Sequence, residues 1–375
     1  MDSVHTIEQR FVSLDSPTGA RNGAGFMPTQ GLYHHRSGDS PRTAFIASHY
    51  NVDFSEHYLA TRLATLGYGF LGWNTRFRGV EQFFTLDNAL VDIGVGVRWL
   101  REEAGVETVV LMANCGGGSL MGAYQAQATA GVLRPLLDRP VPEAALDLSP
   151  ADLYVSLNAH PGRPEVLTNW FDPSLTDEND PASVDPTLDM YDPDNGPPYT
   201  ADFVERYRAA QVARNRRITA WALEELERLR GQGLYDRLFS MSRTWADLRF
   251  LDGTIDPSER QVGTCYAGDP RFANYSPFGI GSSNTIRTWL SMWSLEHSQC
   301  RGAPNLAHVT VPSLVIQSTA DTGVFPSDAQ SIFDGLATDD KMLEWVAGDH
   351  YLQDPSDARD AVAGLINDWV EARVG

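Results

Sequence analysis

Between Thr43 and His160 the chain alternates short, almost wholly apolar runs with segments whose apolar residues recur every three to four positions. The runs are TAFIASHY, YGFLGWN, TVVLMANC and LYVSLNAHP; the helical patterns between them include Ser55–Leu66 and Leu86–Arg101. A strand that is apolar along its whole length needs cover on both faces, which parallel strands joined by helices provide. The pattern predicts an α/β fold: a mostly parallel central sheet with helices on both faces. The alternation stops near Gly162 and resumes at His308, with TVPSLVIQS and KMLEWVAG as strands, Asp328–Leu336 as a short helix and Ala358–Arg373 as a final amphipathic helix.

The interruption divides the chain into a first core part (residues 1–161), an insertion (162–305) and a second core part (306–375). The insertion opens with FDPSLTDENDPASVDPTLDMYDPDNGPPYT, whose Asp, Pro, Asn and Gly favour turns and supply no apolar period. Thr200 is then a suitable N-cap for a helix running to about Arg230, closed by Gly231 or Gly233. Arg206, Arg208, Arg214, Arg216 and Arg217 on this helix read as a solvated face. The aromatics that follow, among them Trp245, Phe250, Tyr266, Trp289 and Trp293, suit a core of the insertion's own, several of them lining a cleft against the main core. Trp170, Trp289 and Trp293 are the candidate substrate-binding residues.

The 375 residues are enough for a large buried core, and the net charge of −20 disfavours nucleic acid and anionic membranes as partners. No stretch approaches the roughly 18 apolar residues of a membrane span. The start, MDSVHTIEQRFVSLDSPTG, lacks the basic and apolar regions of a secretory leader. Three cysteines, Cys115, Cys265 and Cys300, make neither a disulfide framework nor a CxxC metal motif, so a cytoplasmic location is expected. No GxGxxG or GxxxxGK[ST] pattern occurs, and neither a cofactor nor a metal is expected.

Cys115 stands in VVLMANCGGGSLMG, at the end of an apolar run and at the start of a helical pattern. A nucleophile on a tight strand-to-helix turn needs small residues two before and two after it, here Ala113 and Gly117. The helix start also favours the thiolate over the thiol. Such a nucleophile requires a base, and the base a carboxylate to orient it. His350, in VAGDHYL, is the histidine that follows the last expected strand, and Asp321, in STADTGVFP, follows the strand before it. Asp349 and Asp328 are alternative acids, the first adjacent to His350 and the second inside an expected helix.

With ANCGG in place of GxSxG, Asp321 and His350 in order behind it, and SHYN (Ser48–Asn51) where many members carry a His-Gly oxyanion loop, the chain resembles the α/β-hydrolase superfamily over roughly residues 40–160 and 306–375. The cysteine nucleophile is similar to that of dienelactone hydrolases; the insertion sets the chain apart from those compact, uncapped enzymes. The resemblance implies a Cys115–His350–Asp321 triad and an oxyanion hole made by the backbone N–H of Gly116 with that of Tyr50 or Asn51. His49 is read as a structural residue of its loop.

These residues imply acyl transfer from a bulky, apolar ester, lactone or thioester through an acyl-cysteine. Rival readings are an acyltransferase on the same triad, a carbon–carbon bond hydrolase and a ligand-binding protein without turnover. The oligomeric state stays open.

Overall fold

The computed structural model describes residues 6–19 and 29–374; residues 1–5, the first of the segment read for a leader, lie outside them, as does residue 375. Six strands lead in chain order into the insertion: β1 (Ile7–Leu14), β2 (Thr29–Arg36), β3 (Thr43–Ala47), β4 (Gly69–Asn74), β5 (Thr108–Asn114) and β6 (Leu153–Leu157). Helices α1 (Ala60–Thr65), α2 (Leu86–Glu102) and α3 (Gly117–Ala130) link β3, β4, β5 and β6. The insertion holds α4 (Arg163–Trp170), α5 (Ala201–Gly231), a two-stranded ribbon of β7 (Leu238–Ser240) and β8 (Ser283–Thr285), and the short helices α6 (Pro270–Asn274) and α7 (Ile286–Thr288). The chain returns through α8 (Gly302–Leu306) to β9 (Ser313–Ser318), α9 (Pro326–Gly335), β10 (Lys341–Val346) and α10 (Ala358–Val374).

Eight strands form one sheet in the order β1-β2-β4-β3-β5-β6-β9-β10. Every pairing from β4 to β10 is parallel, and only β2 runs against the rest. The side-chain alternation of β5 explains the two covered faces. Val109, Leu111 and Ala113 pack with Leu90 and Ile93 of α2, Leu120 of α3 and Ile332 of α9. Val110 and Met112 pack on the other side with Leu63 of α1 and Ile366 and Trp369 of α10.

The apolar-run reading finds the parallel strands but not the hairpin of β1 and β2, which the alternation from Thr43 onward does not reach. β1 is largely exposed, so its sequence has no continuous apolar run to announce it. Helix α1 is also shorter than the expected Ser55–Leu66. His57 Nδ1 accepts the N–H of Leu59 at 3.2 Å and His57 Nε2 meets Asn114 Oδ1 at 3.1 Å, a side-chain alternative that holds the residues before Ala60 in turns.

Thr200 caps α5 as expected, its hydroxyl accepting the N–H of Phe203 at 3.2 Å. Of the five arginines of α5 read as a solvated face, Arg206, Arg216 and Arg217 are exposed as expected, whereas Arg208 is half-buried and Arg214 is buried. Arg214 is buried on Glu178, and Arg206, Arg208, Arg216 and Arg217 pair with Asp202, Asp247, Glu296 and Glu178. The insertion leaves and rejoins the core at a narrow neck. Gly162 bridges to Arg301, the N–H of Arg163 donates to the carbonyl of Cys300 at 3.0 Å, and Arg301 Nε pairs with Glu165 at 2.6 Å. Beyond that neck α8 packs on the core helices α3 and α9.

Because β3, β5, β6, β9 and β10 are parallel, their C-terminal ends share one edge of the sheet. The loops that follow them carry His49, Cys115, His160, Asp321 and His350, and the insertion's neck rises from the same edge.

Candidate active site

Cys115 is the first of the two residues between β5 and α3, and its φ is +55°. This left-handed conformation is costly for a side chain with a Cβ and persists where the surroundings impose it. Here they do so through the backbone: the N–H of Cys115 donates to the carbonyl of Leu157 at 3.2 Å, and its carbonyl accepts from Gly118 at 3.1 Å and His160 at 3.0 Å. The next two residues stand in crowded space, Gly117 against backbone that cannot move aside and Gly116 against two side-chain ends. A Cβ on Gly117 would lie 2.3 Å from the carbonyl oxygen of Ser48, and one on Gly116 would lie 2.6 Å from His49 Nε2 and 2.7 Å from Arg163 Nη1.

His350 is buried and its Nδ1 lies 2.7 Å from Asp321 Oδ2. Asp321 Oδ1 accepts the backbone N–H groups of Gly323 and Val324, both at 2.9 Å, which fixes the carboxylate behind the ring. Asn158, at the end of β6, donates to the carbonyl of His350 at 3.0 Å and to the hydroxyl of Ser318 at 2.9 Å. The alternative acids are committed elsewhere: Asp349 Oδ1 accepts the N–H groups of Tyr351 and Gln353, while Asp328 caps α9 and faces Arg249.

Burial alone would raise the Cys115 thiol. The positive field of His350 and the approach of His160, His350 and His49 to the sulfur outweigh it and hold the group well below its ordinary value. The His350 imidazole shows the reciprocal effect: burial pulls it down, but Asp321 and the Cys115 thiolate push it up to about 10. A thiolate beside an imidazolium is the resulting pair. In the other two cysteines burial dominates and raises Cys265 to about 11 and Cys300 to about 12. None of the three is in a disulfide.

Four residues that the sequence reading did not place in the site lie around this pair. His49 does organise its loop, since its Nδ1 accepts the N–H groups of Asn51 at 3.2 Å and Val52 at 3.1 Å. That leaves the proton on Nε2, which is buried beside Gly116 without a hydrogen-bond partner among the described protein groups. His160 stands edge-on to Trp170 and Tyr266 and tilts 35° to His350, the ring centroids 6.4 Å apart. Tyr266 reaches in from the insertion, its ring 4.3 Å from that of His350, its hydroxyl donating to Asp321 Oδ1 at 3.2 Å and lying 2.9 Å from His350 Nδ1. Arg163, the first residue of α4, sets its guanidinium 4.9 Å from the ring of Tyr50 and 4.6 Å from that of Trp293.

The expected oxyanion donors separate here. The N–H of Asn51 is already bonded to His49, whereas those of Gly116 and Tyr50 donate to no described group. The expected substrate residues separate too. Trp293 flanks Arg163 and Trp170 packs on His160. Trp289 belongs to the insertion's core, stacked on Phe171 with its N–H donated to Thr219 at 3.1 Å. The five residues Trp289–Trp293 wind as a π-helix, so these two tryptophans are not one regular turn apart. Among the described residues, no group of three or more His, Cys, Asp or Glu side chains is arranged to hold a metal ion, and no helix is long and apolar enough to cross a membrane.

No protein-family model matches the chain, and no curated protein matches it in sequence. Solved structures match it in fold. The alpha/beta hydrolase GrgF from Penicillium sp. sh18 superposes with a TM-score of 0.54 at 10% identity, over 97% of this chain and 98% of that one. DcsB in complex with its substrate analogue gives 0.53 at 10% identity, over 98% and 100%. The chain has the α/β-hydrolase fold. At such low identity the likeness extends to topology, and the chemistry has to be argued from this chain's own side chains.

Proposed function

We propose that the protein is a thiol hydrolase that opens an ester, lactone or thioester of a bulky, apolar small molecule through an acyl-thioester on Cys115. The observation that carries this reading is Cys115 at φ +55° between β5 and α3, next to the His350–Asp321 pair. The Cys115 thiolate attacks the carbonyl carbon, forming the C–S bond as the carbonyl oxygen takes the negative charge. The N–H groups of Gly116 and Tyr50, with His49 Nε2–H beside Gly116, are donors placed for that oxyanion. The His350 imidazolium gives its proton to the leaving oxygen or sulfur as the bond to carbon breaks. Neutral His350 then takes a proton from water as that water attacks the thioester, and the thiolate leaves.

The insertion acts in this reading as a cap, its neck beside the nucleophile and its Tyr266, Trp170 and Trp293 turned toward the site. Tyr266 is a positioning residue, holding Asp321 and His350 in register. Steady-state hydrolysis of aryl esters, lactones and acyl thioesters tests the assignment. Turnover by the wild type and its loss by three or more orders of magnitude in Cys115→Ala support it. Equal rates in both proteins would contradict it. Cys115→Ser addresses the sulfur itself, since a serine relies more heavily on the histidine than a thiolate does; a fall in rate marks an enzyme built around a thiolate.

A further inference from the structure

Seven arginines are buried among the described residues, and six of them are fully accounted for. Arg76, Arg214, Arg243, Arg249 and Arg287 pair with Asp92, Glu178, Asp172, Asp247 and Asp138. Arg260 donates to the main-chain carbonyls of Arg249, Asp252, Ile255 and Asp256. Arg163 is 4% exposed and its side chain has no hydrogen bond and no ion pair among the described residues; its Nε is fully buried without a partner. Carboxylates are not scarce in a chain with 49 Asp and Glu.

A buried guanidinium without a hydrogen-bonded carboxylate costs several kcal/mol, of which two aromatic rings and the nearby Cys115 thiolate, itself shared with His350, return only a part. The guanidinium also stands where a substrate must come. Its Nη1 lies 2.7 Å from the position of a Cβ on Gly116, the residue after the nucleophile, and His49 Nε2 lies 2.6 Å from the same position. The rings of Tyr50 and Trp293 lie within 5 Å of the guanidinium carbon, at 4.9 and 4.6 Å, and no described acceptor takes its N–H groups; a planar fork of unused donors suits a carboxylate.

We propose that Arg163 is the anchor for an ionised acid group of the substrate, so that the compound acted on at Cys115 is an apolar acyl compound carrying a carboxylate a few bonds from the scissile carbonyl. This rests on the proposed function only in taking Cys115 as the reaction centre. The insertion then selects by charge as well as by size: the arginine that reads the acid group is the first residue of the cap's first helix, at the neck.

Two measurements on the whole protein test this. Iodoacetate and iodoacetamide differ by one charge, and each alkylates a thiolate by forming the S–C bond as iodide leaves. The account predicts that the ratio of the two rates at Cys115 exceeds that of glutathione by about tenfold or more and falls by a similar factor in Arg163→Gln, with partial retention in Arg163→Lys. A purely structural arginine moves both rates together, and an unchanged ratio overturns the proposal. The second measurement does not need a reactive cysteine. At constant ionic strength benzoate, but not benzamide, should raise the melting temperature of the wild type and not of Arg163→Gln; benzoate that stabilises both equally, or neither, overturns the proposal. A Cys115 inert to both reagents would instead remove the nucleophile reading, while the benzoate comparison still decides Arg163.

Discussion

At the scale of single residues, the site depends on which charge lies next to which. Cys115, Cys265 and Cys300 share one chemistry, yet His350, His160 and His49 surround only the first, and burial dominates the other two. Thiol reactivity should divide the same way. Alkylation rate follows the thiolate fraction, so at pH 6 iodoacetamide labels Cys115 and leaves Cys265 and Cys300 untouched, a difference that peptide mass mapping reads directly. His350→Gln removes the positive neighbour; the thiol is then less acidic, and its rate–pH curve moves to higher pH, with labelling at pH 6 down by about tenfold or more. Activity should rise on the acid side as the thiolate forms and fall on the alkaline side as His350 loses its proton near 10. Tyr266→Phe deletes one hydrogen bond to the Asp321 carboxylate, and kcat should drop by about tenfold with little change in stability.

At the scale of elements, the sequence made legible what has a period or a spacing, and left obscure what depends on convergence. The parallel strands are announced by apolar runs, and α5 by Thr200 and its stripe. The order Cys115, Asp321, His350 is visible because each follows a strand whose end can be located. His49, His160, Arg163 and Tyr266 are separated in sequence, and no pattern links the HPGR segment at the neck to a tyrosine a hundred residues on. Only the folded chain brings them to the nucleophile. One clue was available: three glycines after Cys115 exceed what a turn needs, and the structure accounts for all three, Gly116 by the crowding of His49 and Arg163, Gly117 by the carbonyl of Ser48 and Gly118 by Ala159. Gly117→Ala therefore forces α3 away from the loop after β3; the contact is with backbone, which cannot swing aside, so urea unfolding should show a loss of about 2 kcal/mol or more, together with lost activity. Thr200→Ala, far from the site, should cost about 1 kcal/mol and leave the chemistry intact.

At the scale of the whole molecule, one edge of the sheet brings together Cys115, His350 and Asp321, the proposed nucleophile, base and acid, and the insertion, tied down at its neck, brings Arg163 and Tyr266 to the same place. Internal ion pairs hold the insertion in shape. Asp172, fully buried at its start, accepts two bonds from Arg243 at 2.6 and 3.0 Å and one from Asn274 at 2.7 Å. Asp172→Ala would strand the arginine, and a loss of about 3–5 kcal/mol should appear in denaturant unfolding. The central claim is that Cys115 carries the acyl group between the two halves of the reaction. Intact-mass analysis after a brief exposure to a p-nitrophenyl ester, quenched in acid, tests it most directly. The account predicts a single adduct of the acyl mass on the wild type, mapped to the peptide containing Cys115 and absent from Cys115→Ala. The same adduct in equal yield on both proteins would contradict it.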